Sequence, residues 1–143
     1  RIARRMERED GARFHEEAVL SDERQKLAKV AVQMADDMEA RALVVFTVEG
    51  KMVPESAWMR PREAKIMALC PSARVAGEMT LYRGVVPVVM EEVHSELPAE
   101  EVEAALETLK EKALLKSGDT VVVISSHLAV EEIADSVQMH RVS

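Results

Sequence analysis

Leu43-Val44-Val45-Phe46 decides the fold. A run without polar alternation, rich in β-branched and aromatic residues, describes a strand covered on both faces, as in a parallel sheet with helices above and below. Ile66–Cys70, Val85–Val89 and Val121–Ile124 repeat that pattern downstream. Pro87 lies inside the third run and cannot donate to a ladder, which places that strand at an edge or a bulge. A last short strand is predicted over Gln138–Val142.

Helical segments lie between these runs. Pro54–Met59 begins with proline at a first-turn position. Ser72–Leu81 starts with a serine cap. Pro98–Leu115 carries Val102, Ala105, Leu106 and Leu109 on one face, and Gly118 stops the chain before the fourth strand. Upstream, Ser21 is a good N-cap, followed by Asp22 and Glu23 where carboxylates suit the helix dipole. Leu27, Val30, Ala31, Met34, Ala35 and Met38 then fall at spacings of three and four, which predicts one continuous apolar helical face. Residues 1–20 read as a polar helix with a thin stripe of Ile2, Met6, Phe14 and Ala18, interrupted at Asp10-Gly11. So narrow a stripe needs a neighbour to pack against. Strand–helix alternation of this kind predicts one α/β domain over 1–143, a leading helix (1–20) and a core (21–143). The core is a three-layer sandwich: a mainly parallel sheet with right-handed crossovers and helices on both faces.

Composition bounds the function. With 143 residues, 48% hydrophobic and 31% charged, the chain is neither a disordered tail nor a disulfide scaffold. Aromatics are 3% while methionine occurs 9 times, so the core is aliphatic and thioether. A net charge of −7 argues against nucleic acid, whose phosphates call for clustered Lys and Arg. No apolar run approaches the about 20 residues a membrane span requires. One cysteine, Cys70, precludes an internal disulfide and suits a reducing, cytoplasmic setting. The absence of an initiator methionine suggests a piece of a longer protein.

In open parallel sheets ligands bind beyond the carboxyl ends of the strands, where the strand order reverses. After the first run come Thr47-Val48-Glu49-Gly50-Lys51, leading into a helix. Thr47, Gly50 and Lys51 there could offer backbone N–H groups and a cation to an anion, although Glu49 opposes it; the alternative is an ordinary surface turn. After the fourth run, Ser125, Ser126 and His127 could form a hydrogen-bonding site. Ser126 reads more simply as the cap of a short acidic helix over Val130–Asp135. No catalytic constellation emerges. His15, His94, His127 and His140 match no metal-ligand spacing, and Ser125 and Ser126 lie in no G-x-S-x-G elbow. Cys70 precedes Pro71 at a strand end, where a helix N-terminus could activate it, but a free cysteine is usually buried and inert. The acidic run Glu100, Glu101, Glu103 and Glu107 reads as a solvated helix face.

Several stretches resemble the pyruvate kinase family. Arg60-Pro61-Arg62-Glu63-Ala64-Lys65-Ile66-Met67-Ala68-Leu69 is similar to that family's RPRAPIIAVT segment. Ala76-Gly77-Glu78-Met79-Thr80-Leu81-Tyr82-Arg83-Gly84-Val85-Val86-Pro87-Val88 resembles ARQLxLxRGVxPV, and Leu115-Lys116-Ser117-Gly118-Asp119-Thr120-Val121-Val122-Val123 resembles LKKGDxVVV. Thr47–Gly50 falls where the family has T-x-S-G, and Met139-His140-Arg141-Val142 resembles its closing motif. Their order and spacing carry the resemblance over residues 20–143; Arg4–Glu9 also look like the helix that opens this domain.

The resemblance implies the carboxy-terminal domain of pyruvate kinase, with a five-stranded sheet whose last strand is antiparallel. It further implies a role in homo-oligomer contacts and in binding a phosphorylated metabolite, beside a catalytic barrel domain that uses magnesium and potassium ions. No catalytic residue of the family has a counterpart in this chain, so the chain alone is expected not to be an enzyme. Thr47 and Gly50 match the family's effector loop, whereas Glu49 and Met52 stand where it has serines. The loop from Ser125 to Ser136 holds no glycine, Lys or Arg, but has Glu131, Glu132 and Asp135. Fructose bisphosphate is therefore expected not to bind. The alternatives are a free-standing small-anion-binding protein of the same fold, and a small enzyme using Ser125, His127 or Cys70. Trp58, if exposed, is expected at a subunit contact.

Overall fold

The computed structural model describes residues 23–46, 52–90, 99–128 and 133–143. In chain order the elements are α1 (Glu23–Asp37), β1 (Ala42–Phe46), α2 (Met52–Met59), β2 (Lys65–Cys70), α3 (Ala73–Met79), β3 (Val85–Val89), α4 (Ala99–Glu111), β4 (Thr120–Leu128) and β5 (Ile133–Arg141). The strands form one sheet in the order β3-β2-β1-β4-β5. β1 pairs in parallel with β2 and β4, β2 pairs in parallel with β3, and β5 runs antiparallel to β4. Four parallel strands and a reversed fifth agree with the fold the sequence predicts.

Alternation along each strand divides the core into two layers. Leu43, Val45, Ile66, Ala68, Cys70, Val122 and Ile124 face α1, α2 and α3. Val44, Phe46, Met67, Leu69, Val121 and Val123 face α4, which covers them with Val102, Ala105, Leu106 and Leu109. All five residues of β1 are buried, which is why its sequence shows no polar alternation.

Local chemistry sets the boundaries. Ser72 caps α3, its hydroxyl accepting from the Val75 N–H at 3.4 Å. Gly118 adopts φ 90° in the turn before β4. Asp119 braces that turn by accepting the Lys116 N–H at 2.8 Å. Helices α1 and α4 end differently. Ala40 N–H donates to Ala35 O at 2.8 Å and Leu114 N–H to Leu109 O at 3.0 Å, each closing back five residues. The residues that turn the chain, Glu39 (φ 51°) and Ala113 (φ 60°), are left-handed without being glycine.

Pro87 sits on the edge strand β3, opposite Ala68. Ile66 N–H donates to Gly84 O at 3.4 Å and Met90 N–H to Cys70 O at 2.8 Å. Since N–H and C=O groups alternate sides along a strand, the peptide nitrogen of Pro87 points away from β2 and no ladder bond is lost.

Three expectations are corrected. The buried face of α1 is Ala28, Ala31, Val32 and Ala35, with Leu27 and Met34 at its margin, whereas Val30 and Met38 are exposed. Small alanines permit close helix–sheet approach, so the stripe turns toward them rather than toward the larger Val30. Second, β4 continues through Ser125, Ser126 and His127 to Leu128, and Ile133–Asp135 belong to β5. Ser126 pairs with Asp135 across this hairpin instead of capping an acidic helix there. Third, β5 is longer than the predicted Gln138–Val142, because its first half is paired with polar residues of β4. The leading helix over 1–20 and the Ser21 cap lie outside the described residues.

Candidate functional site

The strand order reverses between β1 and β4. From β1 the chain crosses outward to β2 and β3, then returns through α4 to the opposite side of β1. The carboxyl ends of β1, at Phe46, and of the parallel-paired part of β4, at Ile124, therefore flank the crevice where such sheets bind ligands.

Thr47, Gly50 and Lys51 follow β1 directly and lie outside the described residues, as does Glu49. The structure resumes at α2. Its Ser56 is fully buried, a polar position the sequence analysis did not single out.

On the β4 side, Ser125 is 4% exposed. It follows Ile124 in the alternation, so its side chain lies on the α4 face of the sheet. Its hydroxyl is 2.6 Å from that of Ser136, directly across the hairpin. Ser136 was missed because nothing in local sequence indicates its register with Ser125; only the hairpin brings them together. For Ser126 and His127 the structure gives the backbone, paired with Asp135 and Ala134. Their side chains lie outside the described residues. Among the described residues, the polar environment at this crevice thus includes a serine pair on the α4 face, hydrogen-bonded hydroxyl to hydroxyl.

Cys70 ends β2 and is fully buried. Its Sγ approaches Ala68 O at 3.4 Å, and desolvation pushes its thiol above the ordinary range. A thiolate is the nucleophilic form, so this environment suits packing rather than reaction. Among the described residues no three His, Cys, Asp or Glu side chains gather to hold a metal ion, and no helix is long and apolar enough to cross a membrane.

Fold and crevice together define a doubly wound α/β domain whose strand order reverses at the carboxyl ends of β1 and β4. The chain belongs to the pyruvate kinase alpha/beta domain family, whose model it matches over residues 25–140. Pyruvate kinase 2 of Synechocystis sp. is 27% identical over 128 residues, covering 90% of this chain and 21% of that protein. Pyruvate kinase PKLR of Homo sapiens is 31% identical over 99 residues, covering 66% of this chain and 17% of that protein. The solved Cryptosporidium parvum pyruvate kinase in complex with ADP superposes with a TM-score of 0.78 at 22% identity, over 94% of this chain and 27% of that one. At that identity the likeness is one of fold. The chain spans about a fifth of the length of the curated relatives it matches.

Proposed function

We propose that this chain is the regulatory and assembly domain of a pyruvate kinase, a cytoplasmic glycolytic enzyme that transfers a phosphoryl group from phosphoenolpyruvate to ADP. The observation carrying this reading is the family match over 25–140, on a fold that accounts for 27% of a solved pyruvate kinase. In this reading the catalytic residues belong to a partner barrel domain. The magnesium and potassium ions of the reaction belong there too.

The effector site is proposed to be degenerate. Glu49 follows the first apolar run and Glu131, Glu132 and Asp135 follow the fourth in sequence, so a phosphate held by these two segments would meet carboxylates. Like charges juxtaposed in this way cost several kcal/mol. Ser125 supports the same reading, since its hydroxyl is engaged with Ser136 within the domain. Titration calorimetry with fructose bisphosphate is expected to show no heat beyond dilution; micromolar binding would refute the degenerate site. In a coupled assay the purified chain is expected to form no pyruvate from phosphoenolpyruvate and ADP, and turnover by the chain alone would overturn the assignment of catalysis elsewhere.

For assembly, Trp58 near the end of α2 is 39% exposed, and tryptophan is among the residues enriched at protein contacts. Light scattering on wild type and Trp58→Ala tests this: the variant is expected to dissociate, and an unchanged oligomer discards the contact.

A further inference from the structure

We propose that Pro87 closes the β3 edge of the sheet, preventing a second copy of this chain from adding a strand along it. Among the described residues, β2 is the one sheet neighbour of β3. The bonds of Gly84 O and Met90 N–H to β2 fix the phase of the strand. Val86 and Val88 turn their peptide groups toward β2, while Val85, Pro87 and Val89 turn theirs outward.

Such an edge ordinarily offers three outward donors. Pro87 has no N–H at all. Val85 donates its N–H to Tyr82 O at 3.4 Å, within the turn that enters the strand. Among the described residues, Val89 alone keeps an outward donor to which neither restriction applies. An incoming strand could therefore satisfy few of its own carbonyls, leaving the others facing positions without hydrogen.

The rest of the strand supplies the reason for a guard. Val85-Val86-Pro87-Val88-Val89 contains no charge, and Val89 is 42% exposed. Sheet edges are commonly protected by a lysine or another inward-pointing charge, and without one an apolar edge pairs with its like. Four valines with strong strand preference would form that kind of edge if the proline were replaced. The position is also permissive: because the missing N–H points outward, Pro87 interrupts no bond to β2. One residue thus leaves the internal ladder whole and the external one broken.

The test uses Pro87→Val and the double variant Pro87→Val/Val89→Lys, with light scattering across a concentration series and circular dichroism to report folding. Valine suits a strand, and Val89 is exposed enough to carry a solvated ammonium. Pro87→Val is expected to keep its secondary structure and, relative to wild type, to rise to about double the apparent mass or more with concentration, as an opened edge pairs. Adding Val89→Lys is expected to return it to the wild-type state. The proposal is overturned if Pro87→Val retains the wild-type assembly at every concentration. It is equally overturned if the double variant associates as strongly as the single one, since a charge on the edge would not rescue a general loss of folding.

Discussion

Ala113 turns the chain out of α4 at φ 60°, a conformation that costs a residue with a Cβ about 1–2 kcal/mol. The residue is exposed, and the Leu114-to-Leu109 closure around it involves only backbone atoms. Ala113→Gly removes the steric cost while adding about 0.5–1 kcal/mol of unfolded-state freedom. The balance favours glycine by about 0.5–1 kcal/mol, or about 2–3 °C in melting temperature for a domain of this size. Glu39→Gly is expected to behave alike, since Glu39 has φ 51° and the same five-residue closure. The two helices pack on opposite faces of the sheet, so the gains are expected to add. Gly118→Ala is the reverse case. At φ 90° no atom crowds a Cβ there, so its loss of about 1–2 kcal/mol is purely conformational. Gly77 lies within α3 with open space where an added methyl would project, and Gly77→Ala is expected to gain up to about 1 kcal/mol from helix propensity. Urea unfolding followed by circular dichroism measures all four. The reasoning fails if Ala113→Gly destabilises the protein, or if Ala113→Gly and Gly118→Ala shift stability in the same direction.

Two further outcomes follow from the packing. Leu109→Ala empties a fully buried position beneath α4 and is expected to cost about 2–5 kcal/mol, whereas Leu81→Ala, at a residue 84% exposed, is expected to change stability by no more than about 0.5 kcal/mol; thermal melts compare the pair. Cys70 is expected to resist alkylation in the native protein and to react once urea unfolds it. Because burial raises its native pKa, the unfolded chain loses the thiol proton first. The Cys70 contribution to stability is thus complete below about pH 9 and declines as pH rises above it, and urea midpoints across alkaline pH in wild type and Cys70→Ala isolate that slope.

The parts of the fold legible in sequence are those where one residue type has one physical use. Pro87 narrows β3 to an edge or a bulge because a missing donor is tolerated at few other strand positions, and Gly118 marks a stop because φ 90° is open chiefly to glycine. β1 and β2 were legible because their burial is nearly continuous, and β3 because its four valines keep the apolar, β-branched character of a strand although only Val88 is buried. Helix α1 was legible as an element but not in phase. Apolar residues ring it broadly enough that Ala28 and Val32 compete with Val30 and Met38, and the sheet's need for close approach decides between them. The hairpin was misread for a different reason. Ser125-Ser126-His127 and Ala134-Asp135-Ser136 carry little apolar pattern, because they are each other's ladder partners across the hairpin and that pairing leaves no mark on the local sequence. The candidate site shared that blindness: Ser125 was visible beside an apolar run, but its pairing with Ser136 depends on a register no local motif encodes.

Among the described residues, β4 has a strand neighbour on both sides only as far as Ile124, where its pairing with β1 ends; from Ser125 to Leu128 its described partner is β5 alone. A ribbon of two strands is marginal by itself, whereas one embedded in a wider sheet opens only with the whole domain. A single strand therefore spans two regimes of amide hydrogen exchange. Protection at Val121–Ile124 should track global unfolding, and protection at Ser126–Leu128 should fall away through local fraying. The crevice is thus bordered by one wall that opens only when the molecule does and by another that opens independently.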